Sequence, residues 1–303
     1  MVQGGRQMKN FKIVKNSKIW FSLSGVVIII GLFMMLTQGL NYGIDFTGGT
    51  MMQIEMGQTV SVDELQSVLA PYELSPEIVH AGLEKTEVII KTKESLTNDI
   101  RVQIFDTIKE EYGLEDSALR STEQFGPAIG AEIRNKAVMA IFGAAALMLI
   151  YISFRFEVVF GLAAILALFH DVLVLISVYA IFRITVNSSF IAAVLTIVGY
   201  SINDTIVVFD RLRENVSRAK TKKYDEIADM SIHQTLTRSI NTSLTTLLVI
   251  GSLLVFGVDS IKEFALPLMT GISVGTYSSI FIASPVWAII RNRKSGKGSY
   301  ASN

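Results

Sequence analysis

The chain has 303 residues, 50% of them hydrophobic, and a mean hydropathy of +0.45. Its 27 Lys and Arg balance its 27 Asp and Glu, and it has no cysteine. A disulfide framework is therefore excluded, and no basic stretch is interleaved with aromatics as nucleic-acid binding would require.

Half-apolar composition alone does not separate membrane from soluble proteins. The distribution does: apolar residues gather into long runs almost free of charge, and about 20 such residues cross a bilayer as a helix. Residues 1–17 form a basic N-terminus with Arg6, Lys9, Lys12 and Lys15 and no acid. The leading MVQGGRQ reads as an added or mis-assigned start ahead of Met8. The first run, Lys18–Leu36, has a basic flank, but MMLTQGL offers no small-x-small cleavage site. It is predicted to be a retained signal-anchor helix over residues 18–36.

Residues 37–136 are of mixed polarity and too long for a loop, so they are predicted to form a domain. Asp45–Met56 alternates as a strand. Ser61–Tyr72 reads as a helix, with Ser61 and Glu64 as a capping box and Pro71 at its end. Glu77–Gly82 and Lys85–Lys93 read as two strands joined by a tight turn. Leu96–Gly113 reads as an amphipathic helix with Ile100, Ile104, Phe105 and Ile108 on one face and Gly113 as C-cap. Ser117–Gly126 reads as a final strand. The order β-α-β-β-α-β predicts a ferredoxin-like α+β domain, a fold that by itself names no function. GIDFTGGT (Gly43–Thr50) has P-loop glycine spacing, but Gly49 stands where the phosphate-binding lysine belongs, so nucleotide binding is not expected. His80 and His233 stand alone, without metal-ligand spacing, and read as surface or loop residues. No metal and no cofactor is expected.

Five further runs fill residues 137–290: Ala137–Phe154, Val158–Phe182, Ser188–Phe209, Ile240–Val258 and Phe264–Ile290. Ile240–Val258 is the most polar, with Asn241, Thr242, Ser243, Thr245, Thr246 and Ser252; such a helix suits a bundle with its hydroxyls turned to protein. Residues 210–239 read as a loop holding Arg211, Arg213, Arg218, Lys220, Lys222 and Lys223, and the tail 291–303 holds Arg291, Arg293, Lys294 and Lys297. With six spans these basic segments share one side, which the positive-inside bias makes cytoplasmic; the short turns near Arg183 and Asp259 are poor in Lys and Arg. Both termini are thus predicted inside and the α+β domain outside. In the last run Gly271 and Gly275 form a GxxxG packing pattern, and Pro285 predicts a kink or helix end near the inner face.

Three places break the apolar rule: His170-Asp171, Asn203-Asp204, and Arg238 with the hydroxyls that follow it. Helical spacing puts Tyr200, Asp204, Val208 and Arg211 on one face, and Arg238, Thr242, Thr245, Val249 and Ser252 on another. Asp204 lies roughly 8 Å inside the end marked by Phe209, at 1.5 Å per residue. A carboxylate at that depth costs about 2.5–3.5 kcal/mol on insertion scales and needs pairing, water or a proton. Burial and a neighbouring arginine act on its protonation in opposite senses. Asp204 therefore reads as a proton-relay or ion-coupling group. His170-Asp171 either steadies the bundle or lines the same path. Arg211 to Glu214 read as an interfacial anchor.

YGIDFTGGT (Tyr42–Thr50), FHDVL (Phe169–Leu173), VGYSINDTIVVFDRLREN (Val198–Asn215) and TRSINTSLTTL (Thr237–Leu247) together resemble the motifs of the SecD/SecF family of the bacterial Sec protein-export machinery, within the resistance-nodulation-division superfamily. The resemblance covers essentially the whole chain. It implies pairing with SecD into a twelve-helix pseudo-symmetric unit, in which six helices form one half. It implies work beside the SecYEG channel on a translocating preprotein, driven by the proton-motive force without ATP hydrolysis. Asp204 is the position implied to carry protons, Arg238 its implied charged partner, with Asn203, His170, Asp171, Thr242 and Thr245 as supporting polar groups. No catalytic residue is implied. Two other readings stand beside this one: a non-conducting assembly subunit whose polar residues only bind neighbouring helices, and half of a small-molecule efflux transporter. Proton and sodium remain open as coupling ions.

Overall fold

The computed structural model describes residues 12–82, 84–219 and 223–299, with side chains through 294. Arg6, Lys9, Lys220, Lys222, the leading seven residues and the side chain of Lys297 lie outside the described residues.

Helix α1 (Ser17–Gln38) leads through a short helical turn, α2 (Ile44–Thr47), into the α+β domain. The predicted strand from Asp45 begins only at Gly49, because Gly48 (φ 80°) and Gly49 (φ 149°) take left-handed backbone that breaks the extended run. The domain continues as β1 (Gly49–Glu55), α3 (Val62–Leu69), β2 (Glu77–Ala81), β3 (Glu87–Thr92), α4 (Asn98–Tyr112) and β4 (Leu119–Phe125). Its antiparallel sheet has the order β2-β3-β1-β4, the split βαβ arrangement. The register sets Met52 opposite Ile90 and Ile54 opposite Val88, so alternate residues of both strands face α3 and α4. Leu65, Leu69, Ile104, Phe105 and Ile108 complete that core.

Some local expectations fail. Ser61 makes no side-chain cap, so the capping box is not formed. Ile100 is 37% exposed and does not belong to the buried face of α4. Gly113 does close α4 in the left-handed conformation, at φ 66°.

The membrane unit contains α5 (Pro127–Arg155), α6 (Val158–Ile181), α7 (Ser188–Arg218), α8 (Tyr224–Phe256), α9 (Asp259–Ser278), a π-helical turn (Ser279–Ala283) and α10 (Ser284–Ser299). With α1, these give six spans long and apolar enough to cross a membrane, the last combining α9, the π turn and α10. The Asn187 side chain caps α7, accepting from Phe190 N at 3.0 Å. Pro285 neither ends the last span nor stands alone; the π turn just before it keeps the helix going.

Residues 210–239 are not a loop. Helices α7 and α8 run on beyond their apolar segments, bringing Leu212, Ala228 and Ile232 into a buried seam. Asn215 Nδ2 donates to Ser231 Oγ (2.8 Å) and Gln234 Oε1 (2.7 Å) across this hairpin. The hydropathy ends at Phe209 while amphipathic spacing and helix-forming residues continue.

Helix α9 packs along α7, and α1 along α6. The Trp287 ring stacks on Phe160 at 5.3 Å, and Phe160 meets Phe209 at 5.1 Å. Phe33, Phe142, Phe154, Leu248 and Phe256 face outward.

The domain is stitched to the membrane unit by backbone and side chains. Gly43 N donates to Val186 O, and Val186 N to Asn41 O, both at 2.8 Å. Ser188 N donates to Asp45 Oδ2 at 2.7 Å, so the GIDFTGGT segment works here as a junction.

Candidate functional site in the membrane

The interior polar groups meet where α6, α7, α8 and the α9–π segment converge. Asp171, on α6, has a fully enclosed side chain. Its Oδ1 lies 3.0 Å from His170 Nδ1. Its Oδ2 accepts from Ser201 Oγ on α7 (2.5 Å) and Ser278 Oγ on α9 (2.9 Å). This carboxyl therefore ties three helices together, with both oxygens occupied.

Asp204 is arranged differently. It is buried, yet its Oδ2 has no hydrogen-bond partner, and neither does the nearby Ser239 Oγ on α8. Ser279 of the π turn also lies beside the carboxyl but bonds Thr205 Oγ1 (2.9 Å) and Gly275 O (2.9 Å) instead. A cleft of about 40 Å³ opens next to Asp204, walled by Tyr200, Asn203, Val207, Arg238 and Thr242. A space of that size accommodates a water where polar partners converge.

Thus Asp204, Asn203, Arg238 and Thr242 share one cleft, drawn from α7 and α8. Arg238 is exposed, and among the described residues no carboxylate lies within the 4.0 Å of a salt bridge to it. Its guanidinium acts on the cleft through space rather than as a clamp on Asp204. Val208 turns into the core, and Val207 takes the cleft position that helical spacing had given to it. Thr245 stays outside the cleft, donating to Thr242 O at 2.8 Å. His170 and Asp171 stand on the far side of Ser201 and Ser278 and do not line it.

Gly271 and Gly275 face α7. A Cβ on Gly271 would overlap the Ile197 side chain, and one on Gly275 would sit 2.9 Å from Ser201 Cβ. Their lack of side chains brings Ser278 and Ser279 within reach of α6 and α7. Arg211, instead of marking the membrane exit alone, bonds Glu214 Oε2 (2.5 Å) and Gln234 Oε1 (2.6 Å) in the α7–α8 hairpin.

Sequence reasoning missed Ser201, Thr205, Ser239, Ser278 and Ser279. The available signal was the cluster of small hydroxyls in GTYSSIFIAS (Gly275–Ser284), inside an otherwise apolar run. His80 is the other misreading: it is buried, bonding Val60 O at 2.7 Å and Asp259 Oδ2 at 3.2 Å. His233 is partly buried on α8, its ring nitrogen 2.7 Å from Asp229 O.

The model of the protein export membrane protein SecD/SecF C-terminal family matches residues 104–293, and that of the SecD/SecF GG motif matches residues 33–60. The chain belongs to the SecD/SecF family. A protein translocase subunit SecF from Rhodothermus marinus is 37% identical, over 97% of both chains. That from Haemophilus influenzae is 38% identical over 90% of this chain and 83% of its own. Among solved structures, SecDF from Thermus thermophilus, a translocon-associated membrane protein, superposes with a TM-score of 0.80 at 36% identity, over 93% of this chain. SecDF in a super-membrane-facing form gives a TM-score of 0.74 at 35% identity. This chain spans 39% and 40% of those two chains. The SecD/SecF GG segment is the Asp45–Ser188 junction described above, and the family's C-terminal region holds both buried aspartates.

As a SecD/SecF family member, this is a multi-pass membrane protein of the Sec transport pathway. Its two acids are held differently: both oxygens of Asp171 are hydrogen-bonded, whereas Asp204 lines a space that admits water and its buried Oδ2 has no partner among the described residues.

Proposed function

We propose that this chain is the SecF-type half of a SecD–SecF pair in the bacterial cytoplasmic membrane. The pair draws on the proton-motive force, without hydrolysing ATP, to drive late steps of preprotein translocation through SecYEG. The Lys- and Arg-rich segments on one side of the six spans support a reading with both termini in the cytoplasm and the α+β domain on the opposite side.

The single observation that carries the ion-coupling part is a buried Asp204 lining a water-sized cleft that it shares with Arg238, with no side-chain clamp on its carboxyl. Intramembrane acids with such access mark ion pathways. Water in the cleft delivers the proton to the Asp204 carboxyl, and Arg238 stabilises the carboxylate once it leaves. Tyr200, whose hydroxyl donates to Thr242 O (3.3 Å) and Thr246 Oγ1 (3.2 Å), holds α7 against α8 on the cleft's edge.

The test is Asp204→Asn in the reconstituted pair, with export measured under an imposed proton gradient. The variant is expected to insert and to bind SecD normally while losing gradient-stimulated export. Normal export would overturn the coupling role; loss of the complex would assign Asp204 to assembly instead. Arg238→Met is expected to impair export comparably. Ion flux measured with proton and sodium gradients in turn identifies the coupling ion.

A further inference from the structure

The α+β domain is seated on the end of the membrane unit by side chains from β2 and β3. His80 on β2 reaches Asp259 at the start of α9 (3.2 Å). Lys91 on β3 bonds Glu263 Oε1 at 2.8 Å, and Glu263 Oε2 accepts from Asn187 Nδ2 at 2.7 Å. Asp259 and Glu263 are one helical turn apart, so both face the sheet. A cavity of about 440 Å³ lies between domain and bundle at this seam, with Glu77 of β2 on the domain side and Tyr179 and Glu263 on the other.

Glu77 is the cross-strand partner of Lys91 in the β2–β3 register. Lys91 therefore stands between two carboxylates, Glu77 on its own sheet and Glu263 on α9. The other cations of the seam are engaged elsewhere. Lys262 bonds Asp259 (2.8 Å), Lys93 bonds Asn41 Oδ1 (2.9 Å), and Arg183 donates to the carbonyls of Gln38 (3.2 Å) and Gly39 (2.6 Å).

We propose that this seam is an acid-sensitive dock. With Glu77 protonated, Lys91 is committed to Glu263 and the domain sits on α9; with Glu77 ionised, two carboxylates face one lysine and the domain loosens.

Burial pushes the Glu77 carboxyl above the ordinary glutamate range; Lys91 opposes the rise, Glu263 adds to it, and Thr185 and Lys93 oppose it more weakly. Undocking returns Glu77 to water, where that rise disappears. A carboxyl that holds its proton more tightly in the docked state favours docking at low pH. That contribution is fully present below the ordinary glutamate range and is lost as pH rises through the raised value. The charged and titratable groups that act on Glu77 or line its cavity are Lys91 and Lys93 from β3, Glu263, Asp259 and Lys262 from α9, and Arg183 and Tyr179 from the end of α6; His80 of β2 points to the other face of the strand and, of these groups, meets only Asp259. The dock involves none of the groups around Asp204, so it stands or falls apart from ion coupling there.

The absence of cysteine allows site-specific spin labels on the full chain in lipid nanodiscs. Glu110→Cys on the exposed side of α4 and Phe182→Cys at the end of α6 report the separation of domain and bundle by pulsed electron resonance. At about pH 5.5 a single narrow distance population is expected; at about pH 8 a second, longer population is expected to rise several-fold. Glu77→Gln should keep the narrow population at both values, and Lys91→Met should show the longer one at both. Identical distributions at the two pH values in the labelled parent, or a Glu77→Gln variant that still responds to pH, would overturn the proposal.

Discussion

In the α+β domain Ile54, Leu65, Val88 and Ile108 are fully enclosed while Glu110 and Asp116 face outward. In the membrane unit Asp171, Ser201, Ser278 and Ser279 are enclosed while Phe33, Phe142, Phe154 and Leu248 face outward. The difference shows how the surroundings decide which contacts stabilise. In water, hiding apolar area stabilises by roughly 25 cal/mol per Å². In lipid, apolar side chains gain nothing from leaving the tails, and close approach of small residues with interhelical hydrogen bonds takes over. The membrane unit follows the second rule through Gly271, Gly275 and the hydroxyls that Asp171 gathers.

Three substitutions can break or sharpen this contrast. Ile54→Ala opens a cavity in the centre of the sheet's core and is expected to cost about 2–5 kcal/mol, read as an earlier first transition in urea unfolding of the full chain. Asp171→Ala leaves the Ser201 hydroxyl without an acceptor and Ser278 only with Gly275 O, and is expected to cost about 1–3 kcal/mol, read as a lower melting temperature in detergent. If instead it stabilises, the three-helix tie is not what holds α6 against α7 and α9. Leu248→Ala removes a larger side chain than the hydroxyls in question but faces outward at 65% exposure. Its stability in lipid should stay within about 0.5 kcal/mol of the parent. A loss as large as that of Ile54→Ala would show that protein, not lipid, covers this side of α8.

The parts of the fold legible in the sequence are those set by local pattern. The α6 span was readable to within a residue because Val158 and Phe182 flank an unbroken apolar run. The βαββαβ order was readable because alternation in β3 and the glycine after α4 are local signals. The extensions of α7 and α8 were not, since hydropathy reports where the membrane ends rather than where the helix does. At the site, Asp204 and Arg238 were legible one at a time, as charges in apolar runs. That they share a cleft without forming an ion pair depends on how α7 and α8 cross, which spacing does not encode. His80 was misread for the same reason: its partner Asp259 lies 179 residues away. Ser278 at the end of α9 and Ser279 in the π turn were overlooked because a serine in a membrane helix is ordinary until its partners are known.

The π turn at Ser279–Ala283 carries one more consequence. It holds a surplus residue relative to an α-helical turn, so it fixes the phase between the two pieces of the last span. Closing the same residues into a regular α-helix, with none removed, would rotate everything downstream by about 100°. Trp287 would swing off Phe160 and Tyr224, and Arg291 would leave Glu157, to which it now donates at 2.6 Å. The turn thus works as a length standard: one amino acid lets the upstream piece keep its serines on α6 and α7 while the downstream piece keeps its tryptophan in the core.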